Sequence, residues 1–196
     1  GAVKAVQYAN LMGFPITNNS WGGGGYSQAL YDAIAAAGGN GILFIAAAGN
    51  SGLNTDASPS YPASYNLDNI ISVAATDHND QKASFSNYGV TSVDVGAPGV
   101  NVYSTVPKSS CSLCDPSGYR YLSGTSMASP HVSGAAALLW SKNPTLSHQQ
   151  LKQKIMWSSD PIAALQGKTA SGGRLNINNF FEIDTTAPAA ITDLST

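Results

Sequence analysis

Gly41–Ile42–Leu43–Phe44–Ile45–Ala46–Ala47–Ala48 is apolar throughout and only eight residues long. It is too short to be a typical helix, and it has no alternation that would leave one face to water. Such a run fits a strand covered on both faces, as in a parallel sheet. Ile70–Ile71–Ser72–Val73–Ala74–Ala75 repeats the pattern. Working outward, Ala2 to Met12 has helical spacing (Val3, Val6, Ala9, Leu11) with a stop at Gly13. Ile16 to Trp21 follows Pro15 and reads as a short strand. Ser27 to Ala37 is a helix with Ser27 as N-cap, Leu30, Ile34 and Ala37 facing inward, and Gly38–Gly39 as the stop. Val93–Asp94–Val95 and Val100 to Tyr103 bracket Gly96–Ala97–Pro98–Gly99. An apolar helix is expected from about Ser126 to Trp140, closed by Lys142 and Pro144. Ser147–His148–Gln149–Gln150 reads as a capping box opening a helix to about Met156. Alternation of strands and helices predicts an α/β fold: a doubly wound, mostly parallel sheet with helices on both faces.

The 196 residues carry 9 Lys and Arg against 11 Asp and Glu, a formal charge of −2, with no basic cluster. That argues against nucleic acid as a partner, because neutralising phosphates takes clustered cations. The longest apolar run is far short of the roughly 18 to 20 residues that span a bilayer, so no membrane segment is expected. Cys111 and Cys114 are the only cysteines, in a loop rich in Ser, Pro and Gly. With no second Cys or His pair at matching spacing a zinc site is disfavoured. A local disulfide in a secreted protein fits best, with two free thiols as the alternative. The stretch from Asp184 to Thr196 has the composition of a linker.

Two segments carry the chemistry. In Ala46–Ala47–Ala48–Gly49–Asn50 a buried strand ends in Gly and Asn, and ligands of open parallel sheets bind beyond the carboxyl ends of strands. In Ser123 to Gly134 a glycine turn at Gly124 precedes Ser126, which falls at the start of an apolar helix. There a hydroxyl faces unpaired backbone N–H groups and the positive end of the helix dipole. Taken singly, Ser126 also reads as an ordinary N-cap and Asn50 as a strand-end turn residue.

The string Gly124-Thr-Ser-Met-Ala-Ser-Pro-His-Val-Ser-Gly134 resembles the nucleophile motif of the subtilases, the subtilisin-like serine proteases, at nearly every position. Other blocks fit the same family in the same order: Asn19–Ser20–Trp21–Gly22–Gly23, Ala48–Gly49–Asn50, Tyr61–Pro62–Ala63, Val73 to Asp77, Ala83 to Gly89 and Ala97–Pro98–Gly99. The resemblance covers about residues 1 to 183. It implies a Ser-His-Asp endopeptidase in which Ser126 is the nucleophile and Asn50 donates to the oxyanion. Ser20–Trp21–Gly22 would be an edge that pairs with an extended polypeptide substrate, and Ala46–Ala47–Ala48–Gly49 the facing wall of a pocket for a large apolar residue. Met127, beside the nucleophile, would make activity sensitive to oxidation.

The family's acid and base motifs, Asp-Ser/Thr-Gly and His-Gly-Thr-His, do not occur in this sequence. The resemblance places them ahead of Gly1, on an upstream part of the same catalytic domain, so the chain alone is expected to be inactive. His131, five residues after Ser126, points about 140° away on a regular helix and is expected to pack rather than act as base. His78 and His148 are expected to be solvated. The resemblance also implies a structural Ca²⁺ site from carbonyls near Ala63 and Tyr65 with the carboxylate of Asp77. It implies a secreted, bacterial setting, and Thr186 onward resembles the first residues of a fibronectin-type or immunoglobulin-like module. A different class of function stays open: a non-catalytic fragment that binds extended peptides through Ser20–Trp21–Gly22.

Overall fold

Alternate residues of one apolar strand feed two separate cores. In the computed structural model, which describes residues 1–180, β2 (Leu43–Ala47) is buried at every position. Its Leu43 and Ile45 join a cluster with Ile71, Val73, Val95, Ala128, Val132, Leu139, Leu151 and Ile155. Phe44, with Ile42 and Ala46, instead joins Val6, Leu30, Ile34 and Ala37. The period of two along a strand sends successive side chains to opposite faces, so the run is apolar because both faces are covered.

The covering elements follow. Helices α1 (Ala2–Leu11) and α2 (Gln28–Gly39) lie on one face; α3 (Thr125–Lys142) and α4 (His148–Trp157) lie on the other. The remaining strands of the main sheet are β1 (Ile16–Asn19), β3 (Ile70–Thr76), β4 (Val95–Pro98), β7 (Asp160–Pro161) and β8 (Gly173–Arg174). Its order is β1-β2-β3-β4-β8-β7, parallel except for the last pair. A separate antiparallel hairpin joins β5 (Val102–Thr105) to β6 (Tyr119–Leu122). The doubly wound α/β architecture is thus present. Among the described residues no helix is long and apolar enough to cross a membrane.

Local signals hold where the chemistry is local. Ser27 Oγ accepts from the Leu30 N–H, and Ser147 with Gln150 forms the full capping box. Cys111 and Cys114 are joined by a disulfide between β5 and β6, and the Tyr61–Pro62 peptide is cis.

Four expectations are corrected. Gly38–Gly39 are the last helical residues rather than a stop; a Cβ on Gly38 would meet Asn69 Cγ at 2.7 Å. The buried Asn69 amide needs that closeness, because it donates to the carbonyls of Ile34 and Ile42 and ties α2 to β2. Gly96–Ala97–Pro98 does not lie between two segments but belongs with Val95 to strand β4 itself. His148 is buried, not solvated, and that burial holds its pKa below the usual imidazole range despite the nearby Asp68. His131 is exposed rather than packed; its Nδ1 lies 2.8 Å from the Met127 carbonyl of its own helix. The expected linker from Asp184 lies outside the described residues.

Candidate active site

At the carboxyl end of β2 the chain turns through Gly49, whose φ of +105° a side chain would resist. That turn presents Asn50 to the first turn of α3. The Asn50 Oδ1 accepts from the Thr125 N–H at 2.8 Å and from the Thr125 hydroxyl at 2.9 Å. Thr125 Oγ1 in turn accepts from the Gly49 N–H at 3.1 Å. The amide oxygen is fully engaged, so the orientation of the side chain is fixed, and its NH₂ is turned to the opposite side.

What lies on that side can be measured from Gly124. A Cβ built there would sit 3.5 Å from Asn50 Nδ2 and 3.6 Å from the Ser126 backbone nitrogen. Both nitrogens therefore flank one small empty volume. The Ser126 N–H belongs to the first turn of α3, where backbone donors have no carbonyl four residues back to bond. Two oriented donors at a helix N-terminus are what an oxyanion requires.

Ser126 is also tied to the end of β1. Its Oγ donates to the Ser20 carbonyl at 3.1 Å, while Ser20 Oγ donates to the Ser126 carbonyl at 2.8 Å. The second bond exists because of Pro130. A proline inside a helix has no N–H for the carbonyl four residues earlier, which here is that of Ser126. Ser20 supplies the missing donor. Asn18 Nδ2 donates to Ser20 Oγ, and Ser129 and Ser133 donate to Asn18 Oδ1, so the pair is held from both elements.

Ser20–Trp21–Gly22 continues past β1, which ends at Asn19, two residues earlier than expected. Trp21 packs edge-on against Phe44, and Gly23 N–H bonds the Tyr61 carbonyl. Facing Gly23 and Gly24 is a cavity of about 290 Å³ lined by Ser51, Leu53, Ser58, Ser60 and Asn87, none of them charged. Ala46, Ala47 and Ala48 are buried and are not among the residues lining this cavity; Ala48 reaches it through its carbonyl, which accepts from the Asn87 amide at 2.8 Å. On the other flank of Ser126, a cleft of about 410 Å³ is lined by Met127, Pro130, His131, Val102 and Tyr103.

The three residues suggested for calcium do not come together. Ala63 and Tyr65 line a cavity with Ile70, at the amino end of β3. Asp77 follows Thr76 at the other end of that strand, about 20 Å away at some 3.3 Å per residue. There its Oδ1 accepts from the Asn79 and Gln81 N–H groups and closes a turn. The carboxylates that do line the Ala63–Tyr65 cavity are Asp56 and Asp94. Asp94 forms an ion pair at 2.9 Å with Lys152, whose ammonium also bonds the Ile70 carbonyl at 2.5 Å. A calcium ion takes six to eight free oxygens, so this donor set does not fit one. Sequence reasoning passed over Asp94 and Lys152. The signal was present: Asp94 is a lone charge between Val93 and Val95, and a charge in a buried run calls for a partner.

Comparison with known proteins gives a consistent answer. A model described as the subtilase family matches residues 2–181. Subtilisin DY of Bacillus licheniformis is 45% identical over 154 residues, which are 78% of this chain and 52% of that protein. Subtilisin Savinase of Lederbergia lenta is 43% identical over 152 residues, 78% of this chain and 51% of that protein. Among solved structures, a mutant of the protease domain of PatA matches with a TM-score of 0.74 and 30% identity, over 91% of this chain and 62% of that one. The chain spans about half the length of the curated relatives it matches.

Proposed function

This chain belongs to the subtilase family, and we propose that it supplies the nucleophile and oxyanion half of a serine endopeptidase site. In this reading Ser126 Oγ passes its proton to a base and attacks the scissile carbonyl of a polypeptide. The C–N bond breaks and the amine leaves carrying that proton. Water then hydrolyses the acyl-enzyme ester to release the acid half and restore the serine. The carbonyl oxygen, as it gains charge, enters the volume between Asn50 Nδ2 and the Ser126 N–H. The shared volume beside Gly124 is the observation that carries this reading. Ser20–Trp21–Gly22 would pair with the substrate backbone by strand addition. The uncharged cavity beyond Gly23 would take a large apolar side chain, for which burial is favourable and no counter-charge is needed.

The base and its orienting acid would come from the upstream part of the same catalytic domain. Among the described residues Ser126 Oγ bonds a carbonyl, not an imidazole, and a serine hydroxyl without a base is a weak nucleophile. The 196 residues alone are therefore expected to turn over little or no peptide. The Cys111–Cys114 disulfide supports an extracellular setting, since such bonds persist in oxidising compartments.

The test is labelling by a fluorophosphonate probe of the longer protein, or of this chain mixed with a segment carrying the Asp and His motifs. Rapid labelling lost in Ser126→Ala supports the peptidase. The second reading is a fragment that only binds extended peptides through Ser20–Trp21–Gly22, whose segment continues past the end of β1. Peptide binding without labelling in either preparation would favour that reading instead.

A further inference from the structure

We propose that the ammonium of Lys152 is the resident cation of the cavity beneath the amino ends of β3 and β4, standing where a metal ion would otherwise be needed. The cavity is about 360 Å³ and is lined by Ala63, Tyr65, Ile70, Asp56, Asp94 and Lys152. It is assembled from a loop, two strand starts and a helix. Those segments bring the Asp56 and Asp94 carboxylates and the Ile70 carbonyl to one place.

Accounting for the carboxylates leaves one candidate. Asp56 Oδ1 accepts from the N–H and hydroxyl groups of Thr91 and Ser92, and its Oδ2 accepts from the Val90 N–H. That carboxylate is consumed in closing its own loop. Asp94 Oδ2 accepts from the Ser72 N–H at 2.7 Å, which leaves Oδ1 facing the cavity. Lys152 Nζ meets that oxygen and the Ile70 carbonyl together. The two side chains are 21% and 13% exposed, so water screens the pair only in part.

Helix α4 delivers the ammonium to a fixed point. Leu151 and Ile155, on either side of Lys152, are fully buried in the core under the sheet. A metal ion on the same two oxygens would lie within a few ångströms of the ammonium, and like charges at that distance in a poorly solvated site repel strongly. Lys152 and a bound cation are therefore mutually exclusive. The start of β3 is thus tied to Asp94 and α4 without dependence on dissolved ions. Removing the ammonium should create such a dependence.

The experiment is thermal unfolding of the full chain in EDTA, in about 10 mM CaCl₂, well above the range of weak calcium sites, and in choline chloride of matched ionic strength. The wild-type midpoint should agree across all three to about 1 °C. Lys152→Met should melt lower, by about 5 °C, and recover part of that loss in CaCl₂ but not in choline. The recovery should vanish when Asp94→Asn is added. A wild-type midpoint raised by calcium and made insensitive by Asp94→Asn would overturn the proposal, as would a folded Lys152→Met with no cation response. Should Lys152→Met fail to fold, terbium luminescence sensitised by Tyr65 decides on the wild type. Darkness supports the built-in cation, and emission that Asp94→Asn abolishes overturns it.

Discussion

The two ends of the central strands solve opposite problems with different chemistry. At the carboxyl ends, Ser20, Gly49, Asn50, Thr125 and Ser126 are joined only by neutral hydrogen bonds, and two donors are left aimed at an empty volume. At the amino ends the charged groups are already engaged: Asp56 is held by the N–H and hydroxyl groups of Val90, Thr91 and Ser92, and Asp94 is paired with Lys152. A site that must receive a transient negative charge keeps unspent donors in place. A site that only holds segments together uses all of its groups. The same sheet thus carries one end poised for a ligand and one end closed.

The sharpest way to break this contrast is at the carboxyl end. In a preparation complete with acid and base, Ser126→Ala should abolish fluorophosphonate labelling and peptide turnover. Asn50→Ala should reduce kcat on the order of 10² to 10³-fold with KM little changed, a magnitude borrowed from a subtilisin rather than calculated for this chain. Steady-state kinetics on one peptide separates the two parameters. At the amino end, Asp94→Ala should lower stability by about 2 kcal/mol in denaturant unfolding, because it leaves the Lys152 ammonium without its counter-charge and removes the carboxylate that accepts from the Ser72 N–H. Its effect on kcat should be small by comparison. If Asp94→Ala instead removed activity while leaving stability intact, the division between the ends would be wrong.

Smaller effects sharpen the picture. Pro130→Ala restores an N–H that competes with Ser20 for the Ser126 carbonyl. Turnover should fall by about threefold to tenfold, roughly the net worth of one hydrogen bond, with the fold retained by circular dichroism. The smallest expected signal is from His148. Burial lowers its folded pKa below its unfolded value, so the unfolded chain binds more protons between the two. Its contribution to stability is full above the unfolded value near 6.5 and is lost as pH falls toward the folded one. Unfolding free energy measured from pH 7.5 to 5 should decline, and His148→Gln should remove part of that slope.

How much of this was legible beforehand depends on range. The two apolar runs that became β2 and β3 were readable because burial on both faces leaves no polar positions. Ser27 and Ser147 were readable because capping is settled within three residues. Ser126 and Asn50 were readable only through the long motif around them; either alone looks like ordinary punctuation. The pairing of Asp94 with Lys152 was not readable, since the two are brought together only when α4 settles on the sheet. Nor was the burial of His148, because a capping box specifies a helix start and says nothing about what covers it. Strands β7 and β8 are two residues each and carry no period to detect.

Gly124 carries a consequence of its own. Its backbone is extended, with φ and ψ both 160°, a conformation open to any amino acid. An added methyl would meet its nearest neighbours at ordinary contact distances. Alanine at this position should therefore leave the fold intact and put a permanent steric plug where an incoming carbonyl oxygen would go. Under the proposed function, the missing side chain of one glycine would be the docking port itself.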